Sequence, residues 1–515
     1  MKNIFQKKQA APKNRIEEIL DQTLLEMPGT KEIITWADSV EGSLILGATG
    51  SGKSSGPGRH LALAMLKSGY GFCILCVKSD ESKRFQDYIR KEAPEREKDI
   101  IVFNKTSGLK FNFLKYEMDR EGEGAGEIIN SANALMSLNE QTRIHLSGGS
   151  SGNDERFWDN ALRRLINRTI SLLRLTGEEV SISNMRRIVS KCFDRDTVQL
   201  YELLIKTANA NDETDPQKKQ KAKSDLSLWA KADFFLSTII KLRNPEFAGD
   251  QEVRGIVDDY WMHEFALLSE RPRSIVVESF LGIIDPFLNN GILKNQFSGG
   301  HSSELEPESI YLNNKIVIVD FSVKEFGLAG ILASTIYKTS FQAAMERRVI
   351  QSEDDPKPVA LWIDEYQNLC SPMYDSLFQL TARSSMVASV FITQNINNLI
   401  FVMGNNQPEA KAKSLLSNLN LKIFASNSDV ETNQWAAEII GKELTLFQNV
   451  NYDKDKQLSK SKNQQMYFRL SPDDFTKLKT GRSANNNIVE AVVFKPGKYW
   501  GTEKENFAVI EFEQG

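Results

Sequence analysis

Hydrophobic positions fall into three stretches of different rhythm. From Ser43 short apolar runs alternate with helical stretches: Ser43–Leu46 predicts a strand, Arg59–Lys67 part of a helix, and 72–77 and Ile100–Phe103 further strands. That alternation builds βαβ units and a parallel sheet. Between about 124 and 305 strand-like runs become rare and helical spacing dominates. Phe157, Ala161, Leu165, Ile166, Ile170 and Leu173 form one apolar face, and Leu226, Trp229 and residues 234–240 another. Strands return at 316–321, 359–363, Val387–Thr393, 421–424 and Ile488–Phe494. The expected fold class is therefore α/β: a core with a mostly parallel sheet, interrupted by a large all-α insertion. The expected divisions are an N-terminal arm (1–40), the first part of the core (41–123), the all-α insertion (124–305) and the second part of the core (306–515). Within the arm, apolar spacing predicts one amphipathic helix over 15–27.

Length and composition agree and remove alternatives. At 515 residues the chain exceeds the roughly 250–300 at which a single core stops growing. It is 41% hydrophobic and 26% charged, as soluble globular proteins are. No apolar run approaches the roughly 18–20 residues that span a bilayer, and residues 1–12 lack the apolar segment of a secretory signal. Four cysteines and four histidines are too few and too scattered for a disulfide framework or a metal cluster. Cys73 and Cys76 fall on a strand and are expected to be core thiols. A cytoplasmic location follows as the default. The net charge of −4 gives no general attraction to nucleic acid, so any DNA contact must come from a local basic surface.

The chemistry concentrates in three segments. Gly47, Ala48, Thr49, Gly50, Ser51, Gly52, Lys53 and Ser54 match G-x-x-x-x-G-K-[ST], after a strand and before a helix. With Ser55 they are the candidate cradle for ATP. Lys53 would reach the β- and γ-phosphates, and the Ser54 hydroxyl would ligate Mg²⁺. Pro57 is expected to be tolerated because it falls in the first turn. In the second segment a buried strand, 359–363, delivers Asp364 and Glu365. Asp364 is the candidate Mg²⁺ partner through water, and Glu365 the group that orients or deprotonates the attacking water. In the third, Gln394 ends the strand Val387–Thr393 and is a candidate γ-phosphate sensor. Arg383, between the acidic pair and Gln394, is a candidate arginine finger acting on a neighbouring subunit, with Arg347 and Arg348 as competitors. Lys218, Lys219, Lys221 and Lys223 form a basic run whose simplest reading is a solvated loop or helix face.

These segments resemble the type IV secretion coupling proteins, TraD/TraG-like members of the FtsK/HerA-like hexameric DNA-pumping ATPases. The resemblance rests on GATGSGKSS from Gly47, LWIDEYQNL from Leu361 and FITQNINNL from Phe391. Weaker echoes are Phe111-Asn112-Phe113-Leu114, where the family has Pro at the position of Phe113, the run from Phe157 to Ala161, the segment from Asn427 to Thr432, and the run from Leu470 to Phe475. Two features depart from the family: Val77-Lys78-Ser79-Asp80 stands where it usually carries Asp-Pro-Lys, and the membrane helices that usually open its members have no counterpart. The resemblance implies a RecA-like P-loop NTPase core and a homohexamer that couples ATP hydrolysis to movement of DNA, single-stranded or joined to a relaxase, with type IV secretion components as partners and the membrane reached only through them. A HerA-like ring serving a nuclease or other effector in anti-phage defence is the alternative. A small-molecule kinase is disfavoured by the distance of more than 300 residues between the phosphate loop and the acidic pair.

Overall fold

The computed structural model describes residues 15–147, 155–210, 215–244, 250–289, 291–350, 356–404, 407–452, 458–501 and 505–515. It divides into two compact units: residues 1–103, 307–327 and 341–515 form one, and 104–306 with 328–340 form the other.

The strands of the first unit, in chain order, are β1 (Thr23–Glu26), β2 (Ile33–Thr35), β3 (Ser43–Leu46), β4 (Gly71–Leu75), β5 (Ile100–Phe103), β6 (Ile316–Val319), β7 (Val359–Asp364), β8 (Val387–Thr393), β9 (Leu421–Ala425), β10 (Lys442–Tyr452), β11 (Leu458–Phe468), β12 (Ile488–Phe494) and β13 (Phe507–Glu513). Nine of them make one sheet in the order β13-β12-β9-β3-β8-β7-β4-β6-β5. From β9 to β5 every pairing is parallel, while β12 joins β9 and β13 joins β12 antiparallel. Every residue of β3, β4, β6, β7, β8 and β9 is buried. Strands covered on both faces read as continuous apolar runs, which is why they show in the sequence.

The expected helix over 15–27 stops early. Arg15–Leu20 is helical, but Thr23–Glu26 is β1, paired antiparallel with β2. Trp36 N–H donates to the Gln22 carbonyl and Met27 N–H to that of Glu32, closing a hairpin instead of a further turn. Ile19, Leu24, Met27, Ile34 and Trp36 then join the main core. Residues 1–14 of the expected arm lie outside the described residues.

The second unit contains no strand among its described residues. Its helices include Ile128–Ser147, Glu155–Leu175, Arg195–Asn209, Pro216–Ala232, Phe234–Arg243 and Glu270–Ile284. Phe193, Tyr201, Trp229, Phe235 and Trp261 form a chain of ring contacts within it. Residues 104–123, which the pattern groups with the sheet, pack inside this unit: Phe111 lies against Tyr116, His301 and Tyr337 at centroid distances of 5.6, 5.5 and 5.1 Å. Asn112 caps the helix Phe113–Asp119, so Phe113 holds the first helical position, one a proline would also fit. Leu165, Ile166, Ile170 and Leu173 are buried as expected, but Phe157 is exposed and meets Trp158 edge-on. The basic run lies on the helix Pro216–Ala232, with Lys218, Lys221 and Lys223 exposed.

Candidate functional site

Parallel strands point their carboxyl ends the same way, and loops at those ends converge on one crevice. Here β3, β8, β7 and β4 are consecutive in the sheet, so the residues following them stand in a row. The crevice is a cavity of about 560 Å³ whose lining includes Gly50, Lys53, Ser54, Lys78, Glu365 and Gln394.

The loop after β3 turns with Gly50 at φ 79° and Gly52 at φ 81°, left-handed values that cost glycine nothing. At Gly52 a Cβ would also fall 2.4 Å from Val489 Cγ2. Pro57 is not a passive guest of the first turn. It has no N–H to give the Lys53 carbonyl, and Gly58 N–H donates there instead, at 2.9 Å. The turn Ser54–Gly58 widens to π spacing before the helix Arg59–Lys67 begins. Lys53 is 6% exposed. Burial depresses its ammonium pKa, while the carboxylates of Glu365 and Asp364 pull the other way.

The acidic pair ends β7 inside a web of donors. Asp364 is 1% exposed and accepts from the Ser54 hydroxyl at 2.9 Å. Its other oxygen accepts the Glu365 N–H at 2.9 Å. Glu365 takes a left-handed backbone (φ 54°, ψ 48°), a cost of about 1–3 kcal/mol for a non-glycine that persists where surroundings enforce it. The enforcement is visible next door. Tyr366 stacks on Phe391 at 3.9 Å, and its hydroxyl donates to the buried Asp375 at 2.7 Å. The Glu365 carboxylate meets Lys78 Nζ at 2.8 Å on one oxygen and accepts from Gln367 (2.9 Å) and Gln394 (3.3 Å) on the other. Burial would raise its pKa, but the bonds from Lys78 and Gln367 win and hold it below the usual carboxylate range.

The structure thus gathers Lys53, Ser54, Asp364, Glu365 and Gln394. It does not bring Arg383 to them. Arg383 precedes β8, at the opposite end of the strand from Gln394, with a side chain 64% exposed and, among the described residues, one distant ion pair, 3.7 Å to Glu41. The two competitors are engaged elsewhere: Arg347 pairs with Glu308, and Arg348 donates to the carbonyls of Ser385 and Lys357.

Several lining residues escaped sequence reasoning. Lys78, just beyond β4, bridges Asp364 (3.4 Å) and Glu365. Burial would lower its pKa, but those carboxylates hold it above the ordinary lysine value. Arg84 approaches Asp364 and Glu81, each at 3.6 Å. Burial, reinforced by Asp364, pushes Glu81 up to about 8. The signal available for Lys78 was a basic residue closing a buried strand; Arg84, Gln367 and Arg482 carried none. Cys73 and Cys76 are buried thiols raised by desolvation, and no group of metal-ligating side chains occurs among the described residues.

The donor set fits a phosphorylated ligand with a hard divalent cation. Five basic side chains (Lys53, Lys78, Arg84, Lys324 and Arg482) and one acidic side chain line the cavity. The Ser54 hydroxyl and an Asp364 carboxylate oxygen face each other, the oxygen chemistry that Mg²⁺ takes.

Part of the sequence and the fold are similar to known proteins. Residues 358–480 match the family described as the TraM recognition site of TraD and TraG. Among curated protein sequences none matches the chain. Among solved structures, the bacterial conjugative coupling protein TrwBdeltaN70 in an unbound form aligns over 97% of this chain and 92% of its own, at 14% identity and a TM-score of 0.58. TrwB in complex with a non-hydrolysable ATP analogue aligns over 97% and 92% (14%, TM-score 0.55), and TrwB with ADP and Mg²⁺ over 96% and 89% (14%, TM-score 0.53). No described helix is long and apolar enough to cross a membrane. The chain is therefore TraD/TraG-like in sequence over 358–480, and over nearly its whole length it has the fold of a conjugative coupling protein.

Proposed function

We propose that this chain is a Mg²⁺-dependent ATPase of the coupling-protein kind, acting as a homohexamer that moves DNA, single-stranded or joined to a relaxase, for type IV secretion or conjugative transfer. The observation that carries the reading is the convergence of Lys53, Ser54, Asp364, Glu365 and Gln394 at three adjacent strand ends of a coupling-protein fold. The complexes of TrwB with an ATP analogue and with ADP and Mg²⁺ support ATP and Mg²⁺ as the ligands. The match to a TraM recognition site supports a protein partner from the DNA-processing assembly, docking on 358–480.

In this reading the loop from Gly47 to Ser55 wraps the phosphates, and Lys53 neutralises them. Mg²⁺, when bound, supplies charge neutralisation on the phosphate oxygens, with Ser54 and Asp364 as its protein partners. Glu365, kept ionised by Lys78 and Gln367, accepts a proton from the attacking water. Gln394, bonded to the same carboxylate, senses whether the γ-phosphate is present. Arg383, exposed and far from its own site, serves the site of the adjacent subunit. The helical unit selects cargo. ATP turnover and particle mass, measured with and without single- and double-stranded DNA, test the proposal. DNA-stimulated turnover by a ring-sized particle is expected; a chain whose turnover and mass both ignore DNA contradicts it.

A further inference from the structure

One basic residue of the cavity reaches it from a remote part of the chain. Arg482 follows Gly481 in the turn before β12, more than 400 residues after the phosphate loop. Its guanidinium lies over that loop: a Cβ added to Gly50 would fall 3.1 Å from Arg482 Nη2. No carboxylate pairs with this guanidinium among the described residues. An arginine held against a phosphate cradle without an anion of its own has its charge available for a ligand.

The backbone is built to keep it there. Arg482 sits at φ 61°, a conformation that a non-glycine residue holds only under constraint. Its N–H donates to Gln514 Oε1 at 2.7 Å, and its carbonyl accepts from Asn485 (3.0 Å) and Asn487 (2.8 Å). Gln514 lies just beyond β13. Its N–H donates to the Asn487 carbonyl at 2.7 Å, and its Nε2 donates to Ser55 Oγ at 2.8 Å. Gly481 sits at φ 79°, a left-handed value that favours glycine, and a Cβ there would press on Gln514 Oε1, 2.3 Å away. Gln514 therefore ties Ser55, at the far end of the phosphate loop, to the turn whose arginine overhangs Gly50.

We infer that Arg482 is a phosphate-binding residue contributed in cis, and that Gln514 is its positioning residue, coupling the last strand of the sheet to the phosphates. The ligand chemistry is the di- or triphosphate chain of a nucleotide, since the guanidinium faces the loop and its planar fork suits phosphate oxygens. The inference rests on the nucleotide reading of the site and adds to it a cation supplied by the same subunit, separate from Arg383.

Fluorescent ATP and ADP titrations, with adenosine as a competitor, test it on the full chain. Arg482→Ala is expected to weaken ATP and ADP about tenfold, the loss of a charge-assisted bond, and to leave adenosine competition unchanged. Arg482→Lys should fall between, retaining charge without the fork. Gln514→Leu should weaken ATP about threefold, an effect carried entirely by the phosphates. Wild-type ATP affinity in Arg482→Ala, or an equal loss for adenosine, overturns the inference. Lys53→Ala separates the two readings: if it loses phosphate-dependent binding while Arg482→Ala does not, only the cis arginine falls. If Lys53→Ala also binds normally, the nucleotide site falls with it. Unfolding midpoints of all variants within a few degrees of wild type confirm that folded proteins are compared.

Discussion

The two ends of β8 could hardly differ more. At its carboxyl end Thr393 donates to Gln367 at 2.7 Å, Gln394 donates to Glu365, and Asn427 donates to the Gln394 carbonyl at 2.8 Å. The polar groups there are buried or half-buried and partnered inside one chain. At its amino end Arg383 stands in solvent beside exposed Leu377 and Leu380. An enclosed network is preorganised and needs no other molecule to take shape. Among the described residues of its own chain, the Arg383 guanidinium meets only the Glu41 carboxylate, at 3.7 Å. Under the proposed function, nucleotide binding and proton transfer would be complete within one chain, while a contribution from Arg383 would come from a second copy.

The largest break in that comparison is Lys53→Ala, which should remove phosphate-dependent nucleotide binding and all turnover, measured by titration and phosphate release. Glu365→Gln should bind ATP as tightly as wild type and lower turnover by about 10²–10⁴, the range of a positioned general base. Retained ATP on the isolated variant checks it. Arg383→Ala should leave binding intact and abolish turnover, and mixing it with Glu365→Gln subunits should restore part of the activity. Absence of rescue in intact particles would place its action within its own chain.

Lys78→Met sharpens the enclosed side. Turnover should fall about tenfold, the scale of one charge-assisted bond. Because Lys78 holds the Glu365 pKa down, its loss should move the acid limb of the turnover–pH profile upward. The smallest effect concerns Glu81. Its folded pKa is raised to about 8, so its contribution to stability is full below the ordinary value of 4.5 and lost as pH rises through 8. Glu81→Gln does not titrate, so its unfolding midpoint relative to wild type should climb between pH 5 and 8.5. A difference independent of pH would contradict the assignment.

Legibility in the sequence followed burial. β3 and β8 stand where their apolar runs predict them, because a strand covered on both faces has no choice of residue type, and the partly exposed β5 and β12 keep apolar runs as well. β10 and β11 escaped because their described side chains are largely exposed, Leu444, Leu446 and Met466 included, so no alternation marks them. β13 escaped as a half-exposed edge strand of the sheet. The helix expected over 15–27 failed because the apolar residues of a short hairpin mimicked helical spacing. In the site, local motifs disclosed Lys53, Ser54, Asp364, Glu365 and Gln394. Lys78 carried one cue, its place just beyond a buried strand, whereas Arg84, Arg482 and Gln514 reach the cavity only through tertiary folding, which no spacing in the chain announces. Composition was least informative: a chain of net charge −4 lines this cavity with five basic groups and one acidic.

The central claim is that these strand ends form one hydrolytic ATP site. The most direct measurement is single-turnover ATP hydrolysis with Mg²⁺ by wild type and Glu365→Gln, scored together with bound nucleotide. The account predicts that wild type releases phosphate while Glu365→Gln retains uncleaved ATP. Equal cleavage by the two proteins would contradict it.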